Sequence, residues 1–310
     1  MSVIAVVGSL NMDLVIRAPR RPLLGETLMG SSFGTTGGGK GANQALACAR
    51  LGAESHMIGC IGDDDFGVRL RATLTESKVD CEYLEVRSDV GTGVAVIMVT
   101  DSGDNMIVLA PGANSRVNAS LIERAGDVFK KADAVMFQLE IPIDAVGAGL
   151  RLAHRSGCRT VLTPAPAQSI PPELWPFIDC LVLNETELAF YAQGGDSEEE
   201  VLAAARQILE WGTRGVVVTR GARGGVVVTK NRTFAYAPFS IEAVDSTGAG
   251  DSFCAALIVG LTEGMSLENA VRYASAAGAL ACTRFGAYPS MPWRHEVEAL
   301  LERDALSEKR

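Results

Sequence analysis

The sequence predicts an α/β fold in which parallel strands are joined by crossover helices, with a small separate sheet beside it. Three observations carry this. Between residues 134 and 219, short apolar strand-like runs alternate with helix-like stretches, the pattern of βαβ units. The chain opens on Ile4-Ala5-Val6-Val7-Gly8, a continuous apolar run of the kind buried on both faces of a parallel sheet. Before the first clear helix, and again around residue 100, β-rich segments break the alternation. The 310 residues suffice for one large domain or two small ones, and can bury a core without disulfides or a structural metal.

In order along the chain, residues 40–52 read as a helix closing at Gly52 and residues 56–61 as the next strand. Residues 92–100 and 105–110 are β-rich and are joined by Asp101-Ser102-Gly103-Asp104, which predicts a hairpin. The alternation follows: strand 134–139, helix 143–156, strand 160–163, strand 180–183, helices 185–192 and 197–211, and strand 216–219. Segments 225–229, 233–236 and 240–244 are strand-like, and helices are predicted over 249–263, 267–283 and 293–303. The early strand-like segments, 14–16 and 27–34, belong with the 92–110 hairpin. Such a sheet has no helices of its own, so it must pack over a ligand or pair with another chain.

Composition excludes several functions. Net charge is −9, from 28 basic and 37 acidic residues, which disfavours a nucleic-acid partner. No stretch approaches the roughly 18 apolar residues of a membrane span, and the N-terminus lacks a basic region before its first apolar run, so no signal peptide is expected. The seven cysteines include no CxxC pair and read as buried, reduced thiols of a cytoplasmic protein. His56, His154 and His295 have no zinc-site spacing and do not suggest a Ser-His-Asp hydrolase.

Five segments carry chemistry. The sharpest is Asp245-Ser246-Thr247-Gly248-Ala249-Gly250-Asp251, which opens the longest apolar helix. Its glycines admit a close ligand, and outward-pointing amides at a helix N-terminus favour an anion such as a transferring phosphoryl group. Asp251 beside them can take a proton from a substrate hydroxyl; the plainer reading is that it caps the helix. The segment Gly37-Gly38-Gly39-Lys40-Gly41-Ala42-Asn43 brings Lys40 and Asn43 to a helix start. It is not a P-loop, because Gly41 stands where Ser or Thr would reach Mg²⁺. The alternative is a glycine loop with a solvated lysine. Asn11 and Asp13, two apart on an extended chain, point the same way and could share vicinal hydroxyls, although both are ordinary turn residues. Asn184 and Glu187, three apart at a helix start, suit hydrated Mg²⁺ or a capping box. Residues Thr219 to Gly224 either wrap a nucleotide phosphate or make a tight hairpin.

These segments, in this order, resemble the ribokinase-like family of carbohydrate and nucleoside kinases over essentially the whole chain. GGKGANQA at 38–45, Gln138-Leu139-Glu140, Pro164-Ala165-Pro166-Ala167, Asn184-Glu185-Thr186-Glu187 and Thr283 to Ser290 place the likeness nearest to its ribose-phosphorylating members. The resemblance implies one three-layer α/β/α domain over 1–310, with β-lid segments at about 12–35 and 91–110 that close on the sugar and form a homodimer interface. It implies ATP-dependent phosphorylation of D-ribose at O5, with related sugar or nucleoside kinases, or a silent sugar-binding regulator, as alternatives.

By the same resemblance Asn11, Asp13, Gly39, Lys40, Asn43 and Glu140 would hold ribose. Asp251 would be the general base, and the amides of Thr247, Gly248, Ala249 and Gly250 an anion hole. ATP would lie along Asn184, Thr219, Arg220, Gly221, Ala222, Arg223, Gly224, Gly250 and Ser275. Asn184 and Glu187 would organise Mg²⁺ through water. Asp245, Thr247, Ala281, Arg284, Gly286 and Ser290 would hold a monovalent cation, usually K⁺. Two positions depart from the family pattern: Thr163 stands where Asn is more usual, and Ser275 where Asn or His is.

Overall fold

The computed structural model describes residues 1–193 and 195–307. The chain opens with β1 (Val3–Val7), β2 (Asn11–Ala18), β3 (Ser32–Gly38), α1 (Lys40–Arg50), β4 (Glu54–Gly62), α2 (Asp65–Glu76), β5 (Val79–Asp80), β6 (Leu84–Arg87), β7 (Gly93–Thr100) and β8 (Asn105–Ala110). It continues with α3 (Ala119–Arg124), α4 (Gly126–Lys131), β9 (Ala134–Gln138), α5 (Ile143–Ser156), β10 (Arg159–Thr163), β11 (Cys180–Asn184), α6 (Glu185–Tyr191), α7 (Glu198–Glu210) and β12 (Gly215–Thr219). The last elements are β13 (Gly225–Thr229), β14 (Thr233–Tyr236), α8 (Ala249–Thr262), α9 (Leu267–Ala281), α10 (Ala287–Ser290) and α11 (Arg294–Ser307).

The central sheet runs β14-β13-β12-β11-β10-β9-β1-β4-β5, with β6 also on β4. It is parallel from β12 to β5, and β13 and β14 add an antiparallel edge. Strand β1 shows why three layers form. Successive side chains on a strand face opposite ways, so Ile4 and Val6 enter the core that contains residues of α1, α8 and α9. Ala5 and Val7 enter the core that contains residues of α3, α5 and α7. Both faces are apolar because both are covered. Helix α8 lies deep in the core, with every residue from Asp251 to Gly260 buried.

The small sheet runs β3-β2-β7-β8. Asn11 pairs with Gly38 on one side and Gly93 on the other, so β2 anchors the sheet to the end of β1. The second early strand lies over Ser32–Gly38, later than the 27–34 expected from sequence. The expected strand 240–244 is absent. Instead the amides of Val244 and Asp245 both donate to the Cys282 carbonyl, at 2.8 and 3.1 Å, which ties this segment to the end of α9 rather than to a sheet. Sequence reading also passed over α2, α3 and α4. Only Gly67, Leu70 and Leu74 of α2 are buried, a stripe too thin to register as a helical period. No helix of the described residues is long and apolar enough to cross a membrane.

The end of β1 and the start of α1 meet backbone to backbone. A Cβ on Gly41 would lie 2.6 Å from the Gly8 carbonyl carbon and from the Ser9 amide nitrogen. Neither is a side-chain end that could move aside. We therefore expect Gly41→Ala to cost roughly 2–4 kcal/mol, measured by chemical denaturation, whereas Gly250→Ala, whose Cβ would meet nothing within 4 Å, leaves stability near that of the parent.

Candidate active site

The carboxyl ends of β1, β9, β10, β11 and β12 face the N-termini of α1 and α8, and the small sheet leans over the gap. Ligands of open α/β sheets bind at this end. One cavity takes in Asn11, Asp13, Gly39, Lys40, Asn43 and Glu140 together with Asn184, Glu187, Thr219, Gly248, Gly250 and Asp251. Ala95, Ile97, Ile107 and Leu109 of the small sheet close one side.

Helix α8 starts at Gly248 in the left-handed region, φ 79°, with no side chain capping it. A Cβ there would also meet the Met291 methyl at 2.5 Å. Asp251, in the first turn, does not cap its own helix. Its Oδ2 accepts from Asn43 Nδ2 at 2.8 Å and its Oδ1 from Gln44 Nε2 at 3.0 Å. Both donors stand on α1, whose N-cap Gly39 has φ 88° and no side-chain cap either. The Gly39 conformation brings its α-carbon close to the backbone of Ser9 to Asn11. Two helix N-termini therefore converge on one carboxylate.

On the other side of the cavity, Glu140, just past β9, draws together the end of β1, the start of β2 and the start of α1. Glu140 Oε2 accepts from the Ser9 hydroxyl, from Asn11 Nδ2 at 3.3 Å and from the Lys40 amide at 3.2 Å. Asn114 orients Asn11: its Nδ2 donates to Asn11 Oδ1 at 2.8 Å, while its own Oδ1 accepts from the Leu10 amide at 2.9 Å. The Asn43 Oδ1 is buried without a partner, an acceptor awaiting a donor such as a hydroxyl. Burial, with the neighbouring charges of Glu140 and Asp251, pushes the Asp13 carboxyl up to about 7. Burial works against the Lys40 ammonium, but the charges of Asp251, Glu140 and Glu187 outweigh it and hold the group above its ordinary value.

The remaining predicted residues divide. Asn184 and Glu187 face the cavity and also form a capping box: the Asn184 amide donates to Glu187 Oε2 and the Glu187 amide to Asn184 Oδ1, each at 2.9 Å. Burial pushes the Glu187 carboxyl up. Thr219 reaches the cavity, whereas Arg220 to Gly224 form the β12–β13 turn outside its lining. There Arg220 and Arg223 are both paired with Glu185. Ser275 is buried in α9 and does not line the cavity.

Asp245, Thr247, Gly286 and Ser290 are drawn together. Asp245 Oδ1 accepts from the Thr247 amide and hydroxyl at 2.9 and 2.7 Å, and Oδ2 from the Gly286 amide at 2.9 Å. Ser290 Oγ donates to the Thr247 carbonyl at 3.3 Å. Ala281 is fully buried at the end of α9, and the Arg284 guanidinium is paired with Glu296, so both could contribute to a cation only through main-chain oxygens. Ser9, Gln44 and Asn114 were missed by sequence reading. Gln44 stands beside Asn43 in a quoted motif, but nothing in a lone sequence separates one polar helix residue from its neighbour.

The Asp13 shift has a consequence for stability. Its ordinary value is 3.8 and its folded value about 7, so between those limits the folded protein holds a proton that the unfolded chain has lost. Stability of the ligand-free protein then falls as pH rises through that window and is lowest above it. Asp13→Asn should raise ligand-free stability by roughly 1–4 kcal/mol at pH 8, with the gain shrinking toward pH 4, as read from thermal melts across pH.

Comparison with known proteins accords with this geometry. The model of the pfkB family carbohydrate kinases matches residues 1–294. A ribokinase of Bacillus subtilis is 38% identical over 299 residues, covering 96% of this chain and 99% of the relative. A deoxyribokinase of Salmonella typhi is 32% identical over 304 residues, covering 96% of this chain and 99% of the relative. The structure of Arabidopsis thaliana ribokinase complexed with ribose and ATP is 32% identical and superposes with a TM-score of 0.91, over 97% of this chain and 99% of that one. With the family model spanning nearly its whole length and relatives matched end to end, this chain belongs to the pfkB family of carbohydrate kinases.

Proposed function

We propose that the protein transfers the γ-phosphoryl group of ATP to O5 of D-ribose, giving ribose 5-phosphate. The observation that carries this reading is the position of Asp251. Its carboxylate stands between the polar side chains of β2 and α1, with Glu140, and the uncapped amides that open α8. A primary hydroxyl held there has a base on one side and an anion-stabilising helix end on the other.

Asn11, Asp13, Lys40, Asn43 and Glu140, with the Gly39 backbone, hold and orient the sugar hydroxyls. Asp251 takes the O5 proton as O5 attacks phosphorus and the bond to the ADP oxygen breaks. The amides of Gly248 to Gly250 receive the charge on the transferring group, while the Thr247 amide expected to join them is held by Asp245. ATP extends along Asn184, Thr219 and Gly250 toward the Arg220 to Gly224 turn and Ser275. Among the described residues no group of three or more His, Cys, Asp or Glu could hold a metal. Mg²⁺ is held largely by substrate phosphates and water, and the Glu187 carboxyl beside Asn184 is the acid that would receive its hydration shell. When bound, Mg²⁺ neutralises the phosphate charge.

The loop at Asp245 suits K⁺. One carboxylate, hydroxyls and main-chain oxygens make a hard-oxygen donor set, and a cation there would support the adjacent anion-binding turn. The small sheet acts as a lid that excludes water, and its exposed apolar side chains, Val96 and Val108 among them, would be covered in a lid-to-lid homodimer. A single kinase domain working in the cytoplasm fits these features. The Salmonella relative makes 2-deoxyribose the competing acceptor.

A coupled ADP-release assay across ribose, 2-deoxyribose, fructose and adenosine tests the substrate. Ribose should give the highest kcat/KM, and a preference for 2-deoxyribose or adenosine would replace it. Asp251→Asn should lower kcat by about 10²–10⁴-fold while far-UV circular dichroism and ribose binding persist; near-normal turnover would remove Asp251 as base. Exchanging K⁺ for a bulky organic cation should lower activity severalfold, and equal rates would remove the cation site.

A further inference from the structure

Gln44 and Gln138 form a buried amide chain behind the base. Gln44 Nε2 donates to Asp251 Oδ1 at 3.0 Å and to Thr163 Oγ1 at 3.3 Å, while Gln44 Oε1 accepts from Gln138 Nε2 at 2.6 Å. Both glutamines are fully buried, and neither lines the cavity. A carboxylate can only accept, so Asp251 obliges Gln44 to turn its NH₂ group forward. The Gln44 oxygen then faces backward and obliges Gln138 to donate. The direction of the whole chain is therefore set by the charge at its end.

Two amides in an apolar interior are costly when any of their atoms lacks a partner. Gln138 Oε1 is such an atom, buried with no hydrogen bond, so stability does not account for the arrangement. The base does. Asn43 holds Asp251 Oδ2 from the cavity side at 2.8 Å, and Gln44 holds Oδ1 from behind. With both oxygens gripped, the carboxylate plane cannot turn, and one oxygen edge stays toward the cavity.

We infer that Gln44, aligned by Gln138, is a positioning residue that fixes the orientation of Asp251 for proton abstraction. This rests on the reading of Asp251 as the base. Gln44 touches no substrate, so its loss acts on turnover and not on sugar affinity.

The test is a kinetic cycle. Gln44→Leu in the parent protein should lower kcat with ATP and D-ribose by about 10–100-fold, the scale of misplacing a reacting group, with the KM for ribose within about twofold. In an Asp251→Asn background the same substitution should change the residual kcat by less than about twofold, because there is no base left to orient. An equal loss in both backgrounds, an unchanged kcat in the parent, or a rise in KM without a fall in kcat would each overturn the inference. Gln44→Glu covers the case in which the leucine variant does not fold: it keeps the side-chain length and the acceptor for Gln138 but offers no N–H to Asp251. It should lose at least as much turnover, and normal turnover would overturn the inference. Near-normal kcat in Asp251→Asn alone would remove the base, and this role with it. A silent Gln44 beside an inactive Asp251→Asn would remove only the positioning role.

Discussion

Two helix N-termini meet over the carboxyl ends of the strands, and the rest of the site depends on the carboxylate that joins them. Asn43 and Gln44 of α1 hold Asp251 of α8. Neither helix start has a capping side chain at its N-cap, but the first amides of α1 are taken by Glu140 and Ser9, so of the two it is α8 that leaves amides for a ligand. The start of α1 meets the end of β1 backbone to backbone, and glycine allows it. Gly41 lies against Gly8 and Ser9, and Gly39 and Gly248 adopt left-handed conformations that a side chain would strain.

The electrostatics follow from this convergence. Asp13, Glu140, Asp251 and Glu187 share one partly enclosed space with a single ammonium, Lys40. The acids hold Lys40 charged, and two of them raise the proton affinity of Asp13. The net charge of −9 is no obstacle to nucleotide binding, because the proposed anion site consists of oriented amides and not of basic side chains.

Much of this was legible in the sequence. The apolar run of β1, the alternation from 134 to 219 and the glycine-flanked Asp251 each report a strong local constraint: burial on both faces, a repeated crossover, and a helix start that must admit a ligand. What escaped were elements whose stability is tertiary. Helix α2 buries too few residues to show a period, and segment 240–244 has strand-like side chains but gives its amides to Cys282. Of the site, Asn11, Asp13, Lys40, Asn43, Asn184, Glu187, Thr219 and Asp251 were read from their own segments, and Glu140 through the family likeness. The residues behind them, Ser9, Gln44 and Asn114, were not, because a polar residue that orients another is marked only by the contact itself. Asn184 and Glu187 had two readings, a capping box and a metal-side pair. The capping box is formed, and it leaves both residues on the cavity wall.

The most direct test of the central claim is a structure of the protein bound to D-ribose and a non-hydrolysable ATP analogue. The account predicts ribose O5 within hydrogen-bond distance of the Asp251 carboxylate, aligned with the γ-phosphorus, and the γ-phosphate oxygens on the amides of Gly248 to Gly250. A complex in which a different hydroxyl faces Asp251, or in which the γ-phosphate lies away from the start of α8, would contradict it.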